Sequence, residues 1–169
     1  MNLVNGITFF IKEPEAGPEV FQAAIKDGIV GPEALFEEYD RHFNFPHFGF
    51  NWDALDECLR DLQWISQPQI IITHHTLPEL AASDFNVYLE VLCDAIESWR
   101  NCKELIKERL KEAQEQRDSE SEDYWRNLIE HGLEVRFNLA DEKLVKSAAS
   151  EAKFVKYLAG ESGWVKYFV

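Results

Sequence analysis

The sequence predicts an α/β fold: a small three-stranded parallel sheet packed by helices, with a charged helical insertion at 101–132 and a C-terminal extension at 140–169. Two observations lead there. Short β-branched and aromatic runs at 7–11, 69–73 and 133–139 alternate with longer stretches whose apolar residues recur at helical spacing. The chain of 169 residues, 46% apolar and 13% aromatic, also has enough core-forming material for one domain spanning 1–169.

The elements follow in order. Ile7 to Ile11 (ITFFI) reads as a buried strand, closed by a turn-rich stretch, 12–18, with two prolines and a glycine. Residues 19–31 carry no decisive pattern. Pro32 suits the first turn of a helix in which Leu35, Phe36, Tyr39 and Phe43 share a face, and that helix ends before Pro46. After a loop at 45–50, Asn51 caps a second helix with Leu55, Cys58, Leu59 and Leu62 as its apolar stripe. Gln69 to Thr73 (QIIIT) is too short for a helix and rich in Ile, hence the second strand. Phe85, Tyr88, Leu89, Leu92 and Ile96 define a third helix, capped by Asp84 and running to Trp99 or beyond.

Residues 103–123 are mostly Lys, Glu, Arg and Gln, with Glu104–Lys107 and Glu108–Lys111 as attractive i, i+3 pairs, so a protruding helical arm that frays near 118–123 is expected. Tyr124 to His131 resumes a helix with Gly132 as its C-cap, and Leu133 to Leu139 alternates as the third strand. A terminal amphipathic helix at 143–159 and an extra edge strand at 164–169 complete the expectation.

Charge narrows the function. Lys and Arg number 17 against 31 Asp and Glu, a formal net charge of −14, and the first hundred residues hold −12 of it. Such a field repels phosphate backbones and anionic membranes and attracts basic partners, so neither nucleic acid nor membrane is an expected ligand. With no long apolar run and no charged secretory leader, a cytoplasmic protein is expected. Cys58, Cys93 and Cys102 are an odd number in no metal-ligand spacing, so reduced thiols and no metal site are expected. Glycine-rich phosphate loops, nucleophile elbows and His-Glu-x-x-His patterns are missing, and no cofactor or enzymatic activity is expected. His74 and His75 close the second strand, where parallel sheets often display functional groups, but strand alternation sends them to opposite faces.

The most informative stretch is 46–59. Asp53, Asp56 and Glu57 are related by i, i+3 and i+4, which gathers three carboxylates on a helix face opposite the leucines. A loop carrying His47, Phe48, Phe50 and Trp52 feeds into it. Rings as anchors beside carboxylates that take the places of phosphates suit a basic protein cleft, while a merely solvated face remains the plainer alternative.

At these residues the chain resembles the barstar family of ribonuclease inhibitors. The family pattern Tyr-Tyr-Gly-x-Asn-x-Asp-Ala-Leu-Trp-Asp-Cys-Leu is matched in frame by His47-Phe48-Gly49-Phe50-Asn51-Trp52-Asp53-Ala54-Leu55-Asp56-Glu57-Cys58-Leu59. Residues 31–43 resemble its first helix, and 69–73 and 88–95 fall at its second strand and last helix, so that the resemblance spans roughly 3–100 plus the strand at 133–139. It implies that Asp53, Glu57 and Asp94 are acidic contacts, that His47 stands where an interface tyrosine does, and that Phe48, Gly49, Asn51 and Asp56 belong to the same partner-binding surface. The implied partner is a basic ribonuclease or nuclease toxin whose active site the acidic helix and its loop occlude, the role of an immunity protein or antitoxin. Asp56 stands at the family's tryptophan, His47 and Phe48 at its tyrosine pair, one residue is missing between Pro46 and Gly49, and 101–132 and the tail beyond 140 have no counterpart. A second possibility is a non-catalytic interaction module of the same fold that binds a non-nuclease partner through the charged insertion or the tail.

Overall fold

The computed structural model describes residues 7–12 and 16–149. Among these, β1 (Ile7–Phe10), β2 (Val20–Ile25), β3 (Gln69–His74) and β4 (Gly132–Asn138) form one all-parallel sheet in the order β1-β4-β3-β2. The sheet thus has four strands where three were expected. The addition is β2, inside the stretch without a decisive pattern. As an edge strand it buries only Ala23 and Ile25 and leaves Val20, Phe21, Gln22 and Ala24 half-buried, so no apolar run marks it. Its partner β3, register Val20↔Gln69 to Ile25↔His74, lies far along the chain and leaves no local signal.

Parallel strands require crossovers, and the helices supply them. Helices α1 (Gly31–Phe43) and α2 (Trp52–Asp61) connect β2 to β3, while α3 (Ala82–Gln116) and α4 (Ser119–Ile129) connect β3 to β4. β3 sits in the interior with Ile70, Ile71, Ile72, Thr73 and His74 all buried, as expected for a strand covered on both faces. Leu35, Tyr39, Leu55, Leu59, Tyr88 and Leu92 pack over it with almost no exposure. Burying each large side chain contributes about 1.5–3 kcal/mol.

Three boundaries differ from expectation. Helix α3 starts at Ala82, with Ala81 as an N-cap lacking any side-chain bond, and Asp84 lies in its first turn, where a carboxylate favours the helix dipole without capping it. Gly132 is the first residue of β4, not a C-cap; its N–H donates to the Pro68 carbonyl at 2.8 Å, and α4 has already ended at Ile129. Residues 118–123, where fraying is expected, form the N-cap and first turn of α4. Helix α3 runs unbroken for 35 residues, about 52 Å at 1.5 Å per residue, and α4 folds back along it. Arg117 turns the chain with φ 57°, and the Asp118 carboxylate accepts from the Ser121 N–H at 3.2 Å and the Ser121 hydroxyl at 2.7 Å, a local cap that holds the corner.

After β4, a 3-10 turn (Leu139–Asp141) leads into α5 (Glu142–Ala149), which begins where the terminal helix was expected. The rest of that helix and the strand at 164–169 lie outside the described residues. No helix among the described residues is long and apolar enough to cross a membrane.

Candidate functional site: an acidic helix face beside an aromatic loop

The entry to α2 is built by Asn51. Its Oδ1 accepts from the Ala54 N–H at 2.8 Å while its Nδ2 donates to the Gly49 carbonyl at 3.1 Å, so one side chain caps the helix and fixes the loop before it. Gly49 lies so close that a Cβ there would meet Asn51 Nδ2 at 3.1 Å and the Ala54 Cβ at 3.3 Å. Asn51 and Gly49 thus fix the geometry of the corner between loop and helix.

The loop bends through left-handed backbone at Asn44, His47 and Phe50 (φ 48°, 61° and 49°), unusual for residues with side chains. Aromatic packing secures it. Phe45 stacks on Phe43 with centroids 5.3 Å apart, Phe48 packs on Phe45 at 4.9 Å and edge-on to Phe36 at 6.1 Å, and Phe50 lies 4.8 Å from Phe48. Trp52 is wedged edge-on against Phe36 at 4.8 Å. Phe48 is accordingly half-buried and supports the loop, while His47 and Phe50 stand exposed at its rim.

Beyond the cap, α2 turns Leu55 and Leu59 into the core and leaves Asp53 and Glu57 exposed, with no ion pair or hydrogen bond to another described residue. Asp56 behaves differently. It faces α3, is half-buried, and its Oδ2 lies 2.7 Å from Arg60 Nη2, one turn further along the helix. Its Oδ1 is enclosed without a hydrogen-bond partner. Burial raises the Asp56 carboxyl above its ordinary range; Arg60 opposes this, and Glu57 and Asp53 add to it. Across the helix–helix contact, Arg60 Nη2 also approaches Asp94 Oδ2 of α3 at 3.8 Å. Helix α3 is tied to the end of α2 by Trp99, whose indole N–H donates to the Leu59 carbonyl at 2.8 Å. The structure thus sets the expected acidic residues along the α2–α3 seam, with Asp53 and Glu57 outward and Asp56 and Asp94 joined through Arg60.

Sequence reasoning missed two members of this surface. Phe50 is read from the sequence among the loop's rings but not among the partner-binding residues, and the structure leaves it 49% exposed. Arg60 was visible at i+4 from Asp56, but its reach to Asp94 depends on how two helices distant in sequence pack.

The two histidines part company as alternation requires. His74 is fully buried, with Nε2 2.5 Å from the Tyr88 hydroxyl and its ring 4.7 Å from Phe137; the Tyr88 hydroxyl in turn lies 2.7 Å from that of Tyr39. Burial lowers its pKa to about 3, the Arg136 main chain partly opposing and His75 adding to the fall. His75 is exposed, edge-on to Phe10 at 5.6 Å. Among the described residues, no three of His, Cys, Asp and Glu come together as a group able to hold a metal ion, and Cys58, Cys93 and Cys102 form no disulfide.

The site is thus an exposed carboxylate face on α2 beside an aromatic-packed loop, carried by a parallel α/β domain. The family model described as barstar (barnase inhibitor) matches residues 21–125, and the chain belongs to the barstar family. The match starts inside β2 and ends inside α4, so it includes the whole acidic seam and most of the helical arm. Comparison with curated proteins and with solved structures returned no match.

Proposed function

We propose that this protein is a ribonuclease inhibitor, acting as an immunity protein or antitoxin in the cytoplasm, that occludes the basic active site of a ribonuclease or nuclease toxin with the α2 face and the preceding loop. The observation that carries the proposal is the pair Asp53 and Glu57, exposed and without partners among the described residues, on the helix that the family match covers. A ribonuclease active site is cationic because it binds phosphates, and carboxylates fixed on a helix offer it the same charge without a cleavable bond. Asp94 at the seam extends the negative field, and His47 and Phe50 at the rim supply ring contacts to fill adjoining hollows. Asn51, Gly49 and Phe48 hold these groups in place before binding, which lowers the ordering cost of association. The field of a chain carrying −14 also accelerates encounter with a basic partner. No catalytic step by this chain is needed.

The test is capture from host lysate at low salt, using the protein and its Asp53→Asn/Glu57→Gln variant as parallel baits, followed by an RNA-cleavage assay of what is retained. A small basic nuclease held only by the unaltered bait is the expected result. The same protein held equally by both baits would put the contact elsewhere.

Elsewhere has a specific candidate. Leu105 and Tyr124 are exposed on the arm, 53% and 58%, which favours a second reading in which the arm binds a non-nuclease partner. Leu105→Glu with Tyr124→Glu abolishes binding on that reading and leaves nuclease inhibition intact on the first.

A further inference from the structure

Arg60 occupies a peculiar position in an otherwise acidic seam. It is 43% exposed, whereas the carboxylates it joins, Asp56 and Asp94, are 24% and 28% exposed and belong to different helices. Both contacts run through Nη2, at 2.7 Å to Asp56 and 3.8 Å to Asp94, while the side chain stays open to solvent. The seam is therefore divided. Asp53 and Glu57 are open to a partner's cations, while Asp56 and Asp94 already share one supplied by the chain itself.

We infer that Arg60 is a specificity-determining residue that fills the inner half of the acidic seam and selects a partner whose basic surface carries a hydrogen-bond acceptor, a carboxylate or a main-chain carbonyl, opposite it. This rests on the proposed use of the acidic face and adds which basic surfaces that face accepts. Three physical points support it. A partner cation aimed at Asp56 or Asp94 must first displace an arginine already 2.7 Å from one of them. Like charges brought together on a partly desolvated surface repel, so a uniformly basic surface is penalised at this spot. The planar guanidinium carries five N–H donors on a side chain that is 43% exposed, which suits a planar acceptor.

The probes are two peptides of equal net charge: hexa-arginine, and an octapeptide of seven arginines with one aspartate in the middle, both with blocked ends. Binding to the intact protein is measured by fluorescence anisotropy at low ionic strength. Arg60→Gln is expected to bind hexa-arginine roughly three- to fivefold more tightly than the unaltered protein, because one opposing exposed charge is removed and the Asp56 carboxylate loses its cation. Adding Asp56→Asn and Asp94→Asn to Arg60→Gln cancels the gain. The unaltered protein favours the aspartate-containing peptide relative to Arg60→Gln, and Arg60→Lys, which keeps the charge, stays near the unaltered protein with hexa-arginine.

Equal or weaker hexa-arginine binding by a folded Arg60→Gln, or the same peptide preference in both proteins, overturns the inference. The two levels of the account separate cleanly. If Asp53→Asn/Glu57→Gln weakens peptide binding while Arg60→Gln changes nothing, only the role of Arg60 fails. If Asp53→Asn/Glu57→Gln has no effect either, the acidic face is not the binding surface and the inhibitor proposal fails with it.

Discussion

Lowering the pH from 7 to 5 is expected to destabilise the fold by about 2 kcal/mol through His74 alone. The imidazole ends β3 in the core, between the Tyr88 hydroxyl and the Phe137 ring, and burial lowers its pKa from the ordinary 6.5 to about 3. Between those values the unfolded chain holds a proton that the folded chain refuses. Stability therefore falls as pH drops through about 6.5 and levels off near 3, at about 1.4 kcal/mol per unit inside the window. The assay is urea unfolding followed by tryptophan fluorescence at both pH values. With an m-value of about 2 kcal/mol per molar for a domain of this size, the midpoint moves down by about 1 M. His74→Phe, which preserves a ring against Phe137 and leaves Tyr88 bonded to Tyr39, isolates the effect by subtraction. An equal midpoint shift in the variant, or a pH-insensitive unaltered protein, would refute the reasoning.

Other consequences are measurable by the same means. Glu38 is buried; burial alone would raise its carboxyl, but bonds from Arg41 and the Lys26 N–H, with the Arg41 and His42 charges, bring it down to about 2. A depressed carboxyl stabilises above its unfolded value and loses that contribution as pH falls from about 4.5 to 2, so Glu38→Gln should flatten acid unfolding in that lower window by about 2–3 kcal/mol. Asn51→Ala removes the α2 cap and the bond to Gly49, costing about 1 kcal/mol in thermal or urea unfolding, and should also slow association with the captured partner because the loop is no longer held. Asp53→Asn and Glu57→Gln should each weaken partner binding by about 1–4 kcal/mol in titration calorimetry and reduce its salt dependence, while leaving the unfolding midpoint nearly unchanged.

How much of this was legible in the sequence depended on how local each signal was. Helices α1 and α2, the Asn51 cap and strand β3 follow from side-chain spacing, caps and Ile-rich runs within a few residues. β2 was hidden because its stability comes from pairing with β3 and its outer edge is half-solvated. The turn at Arg117 and Asp118 carries no local apolar signal, and its charge density reads as disorder until Asp118 is seen to cap α4. At the site, the i, i+3, i+4 spacing of Asp53, Asp56 and Glu57 is a fact of sequence. The distinction among them, Asp56 half-buried and paired while Asp53 and Glu57 stand open, comes from the packing of α3 on α2. The supporting role of Phe48 was equally hidden, since its neighbours Phe36 and Phe45 meet it only in the folded loop.

The central claim is that the α2 face blocks a ribonuclease. Its most direct test is cleavage of a fluorogenic RNA by barnase and by a panel of basic bacterial ribonuclease toxins, each titrated with the unaltered protein and with Asp53→Asn/Glu57→Gln. The account predicts stoichiometric inhibition of at least one enzyme by the unaltered protein and a rightward shift of at least about tenfold for the variant. Undiminished cleavage across the panel, or equal inhibition by both proteins, would contradict it.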